Sequence, residues 1–328
     1  MRYIESPYTD AYSNMALEEV VFRRLPRSEE YFMLWQNKNA VVVGRYQNTA
    51  AEVNAPLLEE KGVQVVRRLS GGGAMYQDEG NLNFTFVVNQ QGEKNLDFTL
   101  FIRPVVRALE KLGAPAQQSS RNDIVIDGKK ISGNAQYNSQ GRTMHHGTLL
   151  YASDLDAVDA ALTPAADKIA TKGVASVRSR VTNIAEWLPA PVPLAHFKRL
   201  LVEEMFAEGD VTPYALTRQD HAAVQALRRE KYATWEWNWG RSPAGGLYKK
   251  QRYPFGGVEV WLNTNAGRIT GAHFAGDFFG NGEVGALSAA LAGCRRVRQD
   301  ILDALQDTDV GYYIHGLAAE ALADLVLQ

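Results

Sequence analysis

The sequence is poor in the features that mark secreted, membrane-spanning or zinc-binding proteins. Its 328 residues include one cysteine, Cys294, so no disulfide can form within the chain. No apolar run approaches the roughly 20 residues that cross a bilayer, and the first residues lack the apolar core of a signal peptide. We therefore expect a cytoplasmic protein that makes no membrane contact.

The chain also has almost no net charge. It carries 35 Lys and Arg residues against 37 Asp and Glu residues, a formal net charge of −2. Because no basic excess exists, we expect no nucleic-acid binding. The pair His145-His146 has neither a second cysteine nor an H-E-x-x-H helix beside it, so the sequence gives no reason to expect a zinc site.

Hydrophobic residues make up 45% of the chain and charged residues 22%, which is typical of a globular protein with a substantial core. The length is sufficient for two domains. The glycine-rich segment 240–246 predicts a boundary between them, because strands near 249–253, 257–263 and 268–274 then precede helices near 283–292, 296–306 and 316–327. This order predicts a compact α+β module of about eighty residues.

Upstream of that boundary, apolar periodicity and capping residues predict further elements. A helix capped by Ser13-Asn14 is expected over 15–22. Pro104 should lie near the start of a later helix or kink it. Strands are expected at 32–35, 40–44, 63–66, 83–88 and 143–151, and further helices at 56–61, 97–112, 154–161, 194–207 and 217–232.

A glycine-rich loop, Arg67-Arg68-Leu69-Ser70-Gly71-Gly72-Gly73-Ala74, joins two of these strands. Three glycines leave backbone N–H groups bare, and two arginines at the mouth would add positive charge, so the loop suits a phosphate or carboxylate. A flexible surface connection would have the same composition. Neither G-x-G-x-x-G before a helix nor G-K-[ST] is present, so a nucleotide is bound in some other way or not at all.

The segment 124–131 predicts a hairpin with Asp127-Gly128 as its two-residue turn. Strand alternation then places Lys130 on one face with a carboxylate and a hydroxyl, and Lys129 at the tip of the apolar face. A solvated hairpin tip is the alternative. The expected cross-strand pairs are Ile126 with Lys129, Val125 with Lys130, Ile124 with Ile131 and Asp123 with Ser132.

Two further segments are unusual in composition. Residues 172–183 carry three cations among small polar residues, which indicates either a loop that folds over an anion or a basic surface loop. The alternation Trp235-Glu236-Trp237-Asn238-Trp239 favours a structural clasp over a platform for stacking bases.

Taken together, four motifs resemble those of the lipoate–protein ligases. They are R-R-L-S-G-G-G-A at 67–74, R-N-D-I-V-I-D-G-K-K-I-S-G-N-A at 121–135, H-H-G-T-L-L at 145–150 and K-G-V-A-S-V-R-S-R-V-T-N at 172–183. Residues 14–19, 235–237 and 256–259 also resemble that family, so the likeness extends over nearly the whole chain.

The resemblance implies an ATP-dependent enzyme of lipoate salvage. Such enzymes convert lipoate and ATP, with Mg²⁺, to lipoyl-AMP and pyrophosphate, and then pass the lipoyl group to a lysine of a lipoyl domain. The implied partners are the glycine-cleavage H protein and the E2 subunits of 2-oxoacid dehydrogenases. The implied fold is α+β: a catalytic domain over 1–242 with a mixed β-sheet flanked by helices, as in biotin and lipoate ligases and class II synthetases, and a small accessory domain over 247–328, in a monomer.

The resemblance also implies the site residues. Lys130 is the implied catalytic residue, contacting both the lipoyl carbonyl and the α-phosphate, and Asp123 is an implied Mg²⁺ ligand. Lipoate is implied to contact Arg68, Ser70, Gly71, Gly72, Lys130 and His146. ATP and the adenylate are implied to contact Arg68, Gly73, Ala74, Met75, Tyr76, Asn122, Asp123, Lys130, Lys172, Ser176 and Arg178. For the apolar part of lipoate, Val42, Val43 and Met75 are candidate linings.

One position departs from the family pattern. Many members have His-Asp where this chain has Gln77-Asp78. Because glutamine cannot titrate near neutral pH, we expect Gln77 to be a polar positioning residue and not a general base.

Two alternative functions stay open. One is an octanoyl- or lipoyltransferase of the same fold, which needs a cysteine in its pocket, whereas Cys294 lies in the predicted accessory module. The other is a noncatalytic lipoate- or adenylate-binding module.

Overall fold

The computed structural model describes residues 1–90, 98–119, 122–162, 180–206, 211–240, 247–265 and 267–328. A large mixed sheet forms the centre of the fold. Its strands are β1 Arg2–Glu5, β2 Tyr31–Trp35, β6 Asn81–Asn89, β7 Gln117–Gln118, β8 Asp123–Ile126, β9 Lys129–Ser139, β10 Arg142–Leu150 and β11 Thr212–Pro213. They lie in the order β11-β1-β2-β6-β10-β9-β8-β7. Strand β1 is parallel to both of its neighbours, and the remaining pairs are antiparallel.

A second sheet carries the glycine-rich loop. It has the order β4-β3-β5, with β3 Asn39–Val43, β4 Gln64–Arg67 and β5 Met75–Asp78. The loop between β4 and β5 therefore crosses the end of β3, and a Cβ on Gly44 would overlap the carbonyl of Gly72. The prediction that this loop leads to a strand was correct, but that strand is β5 and not the run at 83–88.

Helices pack against both sheets. They are α1 Ala11–Arg23, α2 Thr49–Glu52, α3 Ala55–Glu60, α4 Thr99–Lys111, α5 Leu155–Ala161, α6 Leu194–Met205, α7 Arg218–Leu227 and α8 Trp235–Asn238. A 3₁₀ turn spans Ile184–Trp187, and α7 continues into a π-helical turn over Arg228–Tyr232. None of these helices, nor any other in the described part of the chain, is long and apolar enough to cross a membrane.

Helix α1 begins earlier than the sequence predicts. Asp10, not Ser13-Asn14, is its N-cap, and the Asp10 carboxylate accepts from the Ser13 N–H. Residues 13–22 are all buried, so α1 packs into the core around its whole circumference. The hydrophobic core around α1 includes Met15, Leu17 and Val20 together with residues of β2 and β3. The polar residues of α1 are consequently held inside the protein.

Helix α4 packs on the opposite face of the sheet. Its buried residues Phe101, Ile102, Val105, Ala108 and Leu109 follow the spacing of an amphipathic helix. Pro104 lies inside the helix within its first two turns, close to the start as the sequence predicts. Helix α4 contributes to the same core as α6 and the hairpin β8–β9.

The last part of the chain confirms the predicted order of strands and helices. Its antiparallel sheet consists of β12 Leu247–Tyr253, β13 Gly256–Asn265 and β14 Arg268–Gly276. The helices α9 Gly285–Leu291, α10 Arg298–Leu305, α11 Val310–Tyr313 and α12 Ala319–Leu327 follow. Their apolar residues form a separate core, and Tyr46 from the loop after β3 is buried in it.

Candidate functional site

A cavity lies where the large sheet, the β3–β5 sheet and the segment after β14 meet. It encloses about 610 Å³ of empty space, its open mouth included. The lining includes the apolar residues Met15, Trp35, Val42, Met75 and Phe279. It also includes the polar residues Arg68, Asn83, Asn122, Lys130 and His146.

Most of the residues implied by the family resemblance surround this cavity. Arg68, Gly72, Gly73, Ala74, Met75, Asn122, Lys130 and His146 line it. Ser70 contacts the lining residues Arg68 and His146, and Asp123 contacts the lining residue Lys130. Tyr76 lies on the other face of β5, in a separate apolar cluster, and its hydroxyl donates to Asn39 at 3.1 Å. Val43 belongs to that cluster as well, whereas Val42 and Met75 line the cavity.

Three implied residues, Lys172, Ser176 and Arg178, lie outside the residues that the structure describes, as does the rest of the segment 163–179. The chain re-enters the described part close to the site. Val181 pairs with Lys130 in an isolated parallel bridge, and the Thr182 N–H donates to the Lys130 carbonyl at 3.0 Å. The end of the proposed adenylate loop is therefore anchored on the strand that carries Lys130.

The hairpin β8–β9 presents Lys130 to the cavity. Asp127 and Gly128 form the two-residue turn, with φ of 49° and 73°, as the Asp-Gly sequence predicts. The Lys130 ammonium lies 2.8 Å from the Asp123 carboxylate, while Lys129 is exposed. Ile124, Ile126 and Ile131 are fully buried on the apolar side. The predicted division of the two lysines between different environments is confirmed.

The predicted register of this hairpin is wrong beyond Val125. Val125 pairs with Lys130 as expected, but Ile124 pairs with Ser132 and Asp123 with Gly133. A β-bulge at Ile131 adds one residue to β9 and shifts the alternation. Gly133, not Ser132, therefore lies opposite the carboxylate that binds Lys130.

Arg68 holds the glycine-rich loop in place through hydrogen bonds from its side chain. Its guanidinium donates to the carbonyls of Gly71 and Gly73, both at 2.8 Å, and to the Ser70 hydroxyl at 3.0 Å. Burial lowers the pKa of Arg68 to about 10, although the nearby Glu18 opposes this shift. At neutral pH Arg68 is therefore a buried cation at the wall of the cavity.

The sequence predicts Arg67 at the mouth of the loop, but the structure does not place it there. It points into the protein, where its guanidinium donates to the backbone carbonyls of Gly44, Arg45 and Gln47. Asn238 and Trp237 close over it, and the Trp237 indole donates to the Arg67 carbonyl at 2.8 Å. The Trp-rich segment is thus a structural clasp, as predicted, and the residue it holds is Arg67.

A chain of buried hydrogen bonds supports the polar wall. His146 Nδ1 lies 2.9 Å from Glu18 Oε1, and His146 Nε2 lies 2.6 Å from the Ser70 hydroxyl. Glu18 also accepts from Thr85, which accepts from the Trp35 indole at 2.9 Å. Because the Glu18 carboxylate accepts, the imidazole donates to it through Nδ1.

Glu18 and Trp35 were not assigned to the site from the sequence. The signal for Glu18 is a carboxylate within the mostly apolar run Met15–Phe22, all of which is buried. Gln77 joins a related network, in which it donates to Asn83 at 2.9 Å and accepts from Asn37 at 2.8 Å. Gln77 is buried and lines the cavity, in agreement with the positioning role expected for it.

His145 is neutral and structural. Burial, with a smaller contribution from His146, holds the pKa of His145 well below its ordinary value. Its ring lies between Gln136 and Asn134, at 3.0 Å and 3.1 Å, and stacks on Phe101. The adjacent histidines therefore serve different purposes, and His146 is the one that lines the cavity.

The segment after β14 completes the cavity wall. The Gly72 N–H donates to the Phe278 carbonyl at 3.2 Å, and Phe279 lines the cavity. A Cβ on Gly71 would overlap the Phe278 carbonyl, and one on Gly72 would lie 3.1 Å from the Phe279 ring. Two of the three loop glycines thus make room for this segment, whereas a Cβ on Gly73 would meet no atom within 4 Å.

Side chains of the large domain fasten the same segment. Tyr46 stacks on Phe278 with ring centroids 4.8 Å apart, and its hydroxyl donates to the Gly282 carbonyl at 2.7 Å. Arg45 forms an ion pair with Glu283. No sequence pattern indicated that residues so late in the chain would reach the glycine-rich loop.

Cys294 is remote from this chemistry. It lies between α9 and α10, where its thiol donates to the Leu291 carbonyl, and it is not among the residues that line the cavity. Burial and the nearby Asp300 raise the pKa of the Cys294 thiol. A nucleophilic thiolate has the opposite requirement.

The described residues contain no group of three or more His, Cys, Asp and Glu side chains that could enclose a metal ion. Asp123 nevertheless offers a half-buried carboxylate beside Lys130 at the cavity. Mg²⁺ is commonly held by one or two carboxylates together with substrate phosphates, so a single carboxylate fits that pattern if phosphates bind beside it.

Comparison with known proteins gives a consistent result over the whole chain. Residues 10–206 match the family model of the lipoyl protein ligase A/B catalytic domain, and residues 242–326 match that of the bacterial lipoate protein ligase C-terminus. The chain is 40% identical over 316 residues to lipoate-protein ligase LplJ of Bacillus subtilis, covering 95% of this chain and 96% of that protein. It is also 40% identical over 318 residues to lipoate–protein ligase 1 of Staphylococcus aureus, covering 97% of each.

Solved structures share the fold. LipL1 of P. falciparum, solved in complex with lipoate, superposes with a TM-score of 0.81 at 21% identity, covering 99% of this chain and 98% of that one. Lipoate-protein ligase A bound with ATP has a TM-score of 0.63 at 26% identity, covering 73% and 98%. The bi-partite lipoate protein ligase of Thermoplasma acidophilum, described with its E2 lipoyl domain, has a TM-score of 0.64 at 27% identity, covering 75% and 98%.

Proposed function

Since the chain belongs to the lipoate–protein ligase family, we propose that it activates lipoate with ATP as lipoyl-AMP and then transfers the lipoyl group to a lysine of a lipoyl domain. The chain is a ligase, and its substrates are lipoate and ATP. The observation that carries the proposed mechanism is the ammonium of Lys130, which lines a half-apolar cavity beside Asp123.

In the first half-reaction, a carboxylate oxygen of lipoate attacks the α-phosphorus of ATP and pyrophosphate leaves. Negative charge accumulates on the groups that meet there. The Lys130 ammonium is proposed to stabilise that charge, and a single fixed donor of this kind contributes roughly 3–4 kcal/mol, or about 10²–10³ in rate. The buried Arg68 adds a second positive charge in the cavity lining.

In the second half-reaction, the neutral amine of the acceptor lysine attacks the acyl carbonyl and AMP leaves. The same ammonium is proposed to stabilise the carbonyl oxygen as it becomes negative. Lys130 would then serve both halves without moving. Gln77 cannot titrate near neutral pH, so its buried network is proposed to hold the wall in shape.

The apolar residues of the cavity lining are proposed to contact the dithiolane and aliphatic chain of lipoate. Met15, Trp35, Val42 and Met75 provide aliphatic, aromatic and thioether surface there. The carboxylate end of lipoate would then point toward Lys130 and the loop that contains Ser70, Gly71 and Gly72. His146 would contact lipoate at the polar wall.

The nucleotide is proposed to occupy the part of the cavity between Gly73, Ala74 and Asn122. Asp123 is retained as the proposed Mg²⁺ ligand, and a bound Mg²⁺ would neutralise phosphate charge. Lys172, Ser176 and Arg178 are retained as proposed adenylate contacts, because the end of their segment is anchored beside Lys130 at Val181.

The enzyme acts on lipoyl-domain proteins, and we propose the glycine-cleavage H protein and 2-oxoacid dehydrogenase E2 subunits as the specific acceptors. A cytoplasmic monomer is proposed as the working form. A transferase that uses an acyl-thioester receives no support, because no cysteine lines the cavity as described.

An acceptor panel tests the proposal. The protein is incubated with lipoate, ATP and Mg²⁺, or with lipoyl-AMP alone, and mass spectrometry detects the lipoyl group on each acceptor. We expect modification in both arms, and pyrophosphate release in the first arm that requires lipoate. Absence of that release would contradict the activation step. Binding without modification in either arm would identify a noncatalytic module.

A further inference from the structure

We propose that Gly133 is a positioning residue for catalysis, because its missing side chain provides the space in which the Lys130 ammonium lies. The inference depends on the role of Lys130 proposed above. Gly133 itself carries no reactive group. The effect of Gly133 on the reaction would depend entirely on where it allows the Lys130 nitrogen to lie.

The distances leave no room for both groups. A Cβ on Gly133 would lie 2.7 Å from Lys130 Nζ and 2.9 Å from Lys130 Cε, closer than real Cβ contacts approach. The backbone of Gly133 is not in the left-handed region, so the space and not the conformation explains the glycine. A third neighbour, Met75 Cε at 3.7 Å, is at ordinary contact distance.

The β-bulge at Ile131 creates this arrangement. In a regular hairpin, residue 132 would lie opposite Asp123 and share the face of Lys130. The extra residue places Gly133 opposite Asp123 instead, so the carboxylate, the ammonium and the glycine converge. A hairpin without the bulge would present the Ser132 side chain at this place.

Hydrogen bonds hold the strand at Gly133 in place, so the backbone does not shift to make room for a new side chain. The Gly133 N–H donates to the Thr148 hydroxyl at 3.2 Å. Its neighbour Asn134 is held by Asn122, whose carbonyl accepts from both the backbone and the side-chain nitrogen of Asn134, at 3.0 Å and 2.9 Å. The flexible end of Lys130 is therefore the part that yields, and it yields away from the position beside Asp123.

The first test compares Gly133→Ala with Gly271→Ala. Gly271 also lies within a strand, and a Cβ there would meet only the Asn263 side chain at 3.7 Å. We expect Gly133→Ala to keep its melting temperature and to lose about 10- to 100-fold in kcat for lipoylation, since displacing a reacting group by about 1 Å can cost about 10²-fold. Gly271→Ala should retain wild-type rates.

A double-mutant cycle shows whether Gly133 acts through Lys130. The probe is lipoyl-sulfamoyl-adenosine, a non-reactive mimic of lipoyl-AMP, and its Kd is measured by calorimetry. We expect the Kd to rise in Gly133→Ala and to rise further in Lys130→Ala. The double variant should have the same Kd as Lys130→Ala, because no ammonium remains to be displaced. A purely structural effect of Gly133→Ala would persist in the Lys130→Ala background.

The outcomes separate the two proposals. If Lys130→Ala loses lipoylation and Gly133→Ala does not, the positioning role of Gly133 is overturned and the proposed function stands. Additive effects in the cycle overturn it as well. If Lys130→Ala retains full activity, the role of Lys130 and the inference built on it both fail.

Discussion

Lys130 Nζ lies 2.8 Å from Asp123 Oδ1 across the hairpin, while the neighbouring Lys129 is exposed at its tip. We predict that Lys130→Ala lowers the rate of lipoyl-AMP formation by about 10²–10³ with the fold intact, because a fixed donor is removed. Lys129→Ala should have little effect. Lipoate-dependent pyrophosphate release measures both variants, and equal losses would contradict the separation of the two lysines.

Gly71→Ala tests the contact between the glycine-rich loop and the segment after β14. A Cβ there would overlap the Phe278 carbonyl, which is backbone and cannot rotate away. We predict that the substitution separates the C-terminal part of the chain from the loop and enlarges the radius of gyration measured by small-angle X-ray scattering. Gly73→Ala is the matched control, because a Cβ at Gly73 would meet no atom within 4 Å. Identical scattering from both variants would contradict this prediction.

Glu19→Gln tests a buried charge cluster beneath α1. The Glu19 carboxylate accepts from Lys231 at 2.6 Å, Tyr232 at 2.7 Å and Arg23 at 2.8 Å. Burial alone would raise the pKa of Glu19, but Lys231, Tyr232 and Arg23 outweigh burial, so its pKa lies below the ordinary value. We predict that Glu19→Gln lowers the free energy of unfolding at pH 7 by about 1–3 kcal/mol.

The pH dependence of that difference follows from the lowered pKa. A carboxyl group whose pKa is depressed by folding stabilises the protein above its unfolded pKa, which is near 4.5. That stability is lost as the pH falls through the lower folded value. Denaturant titrations from pH 7 down to pH 3 should therefore show the wild type and Glu19→Gln converging in acid. A constant difference across this range would argue against the cluster, and Glu230→Gln, at an exposed pair, is the control.

Cys294→Ala tests whether a thiol takes part in the chemistry. The Cys294 pKa is raised by burial, and the residue is outside the cavity lining. We predict unchanged lipoylation in Cys294→Ala and no acyl-thioester on the wild type after incubation with lipoyl-AMP. Detection of such a thioester by mass spectrometry would revive the transferase alternative.

Local sequence was sufficient for the parts of the site that depend on neighbouring residues. The Asp127-Gly128 turn and the separation of Lys129 from Lys130 follow from strand alternation and turn chemistry. The bulge at Ile131 does not follow from them, because a run of alternating residues contains no mark of the extra residue.

Contacts between residues that are far apart in the sequence could not be predicted either. Arg67 and Arg68 are adjacent and chemically alike, and some of the groups that hold Arg67 away from the cavity, on Trp237 and Asn238, lie some 170 positions later in the chain. Phe279 reaches the same cavity from the far end of the chain. The family resemblance identified the motifs around Lys130 but gave no indication of these partners.

Tyr46 belongs by sequence to the large domain, yet its ring is buried in the apolar core of the last eighty residues. A fragment that starts at residue 247 would therefore expose the apolar surface around Phe278 that Tyr46 covers in the whole chain. A fragment that ends before residue 247 would expose the Tyr46 ring. Separately expressed halves of this chain should be poorly soluble alone and should rescue each other when they are mixed.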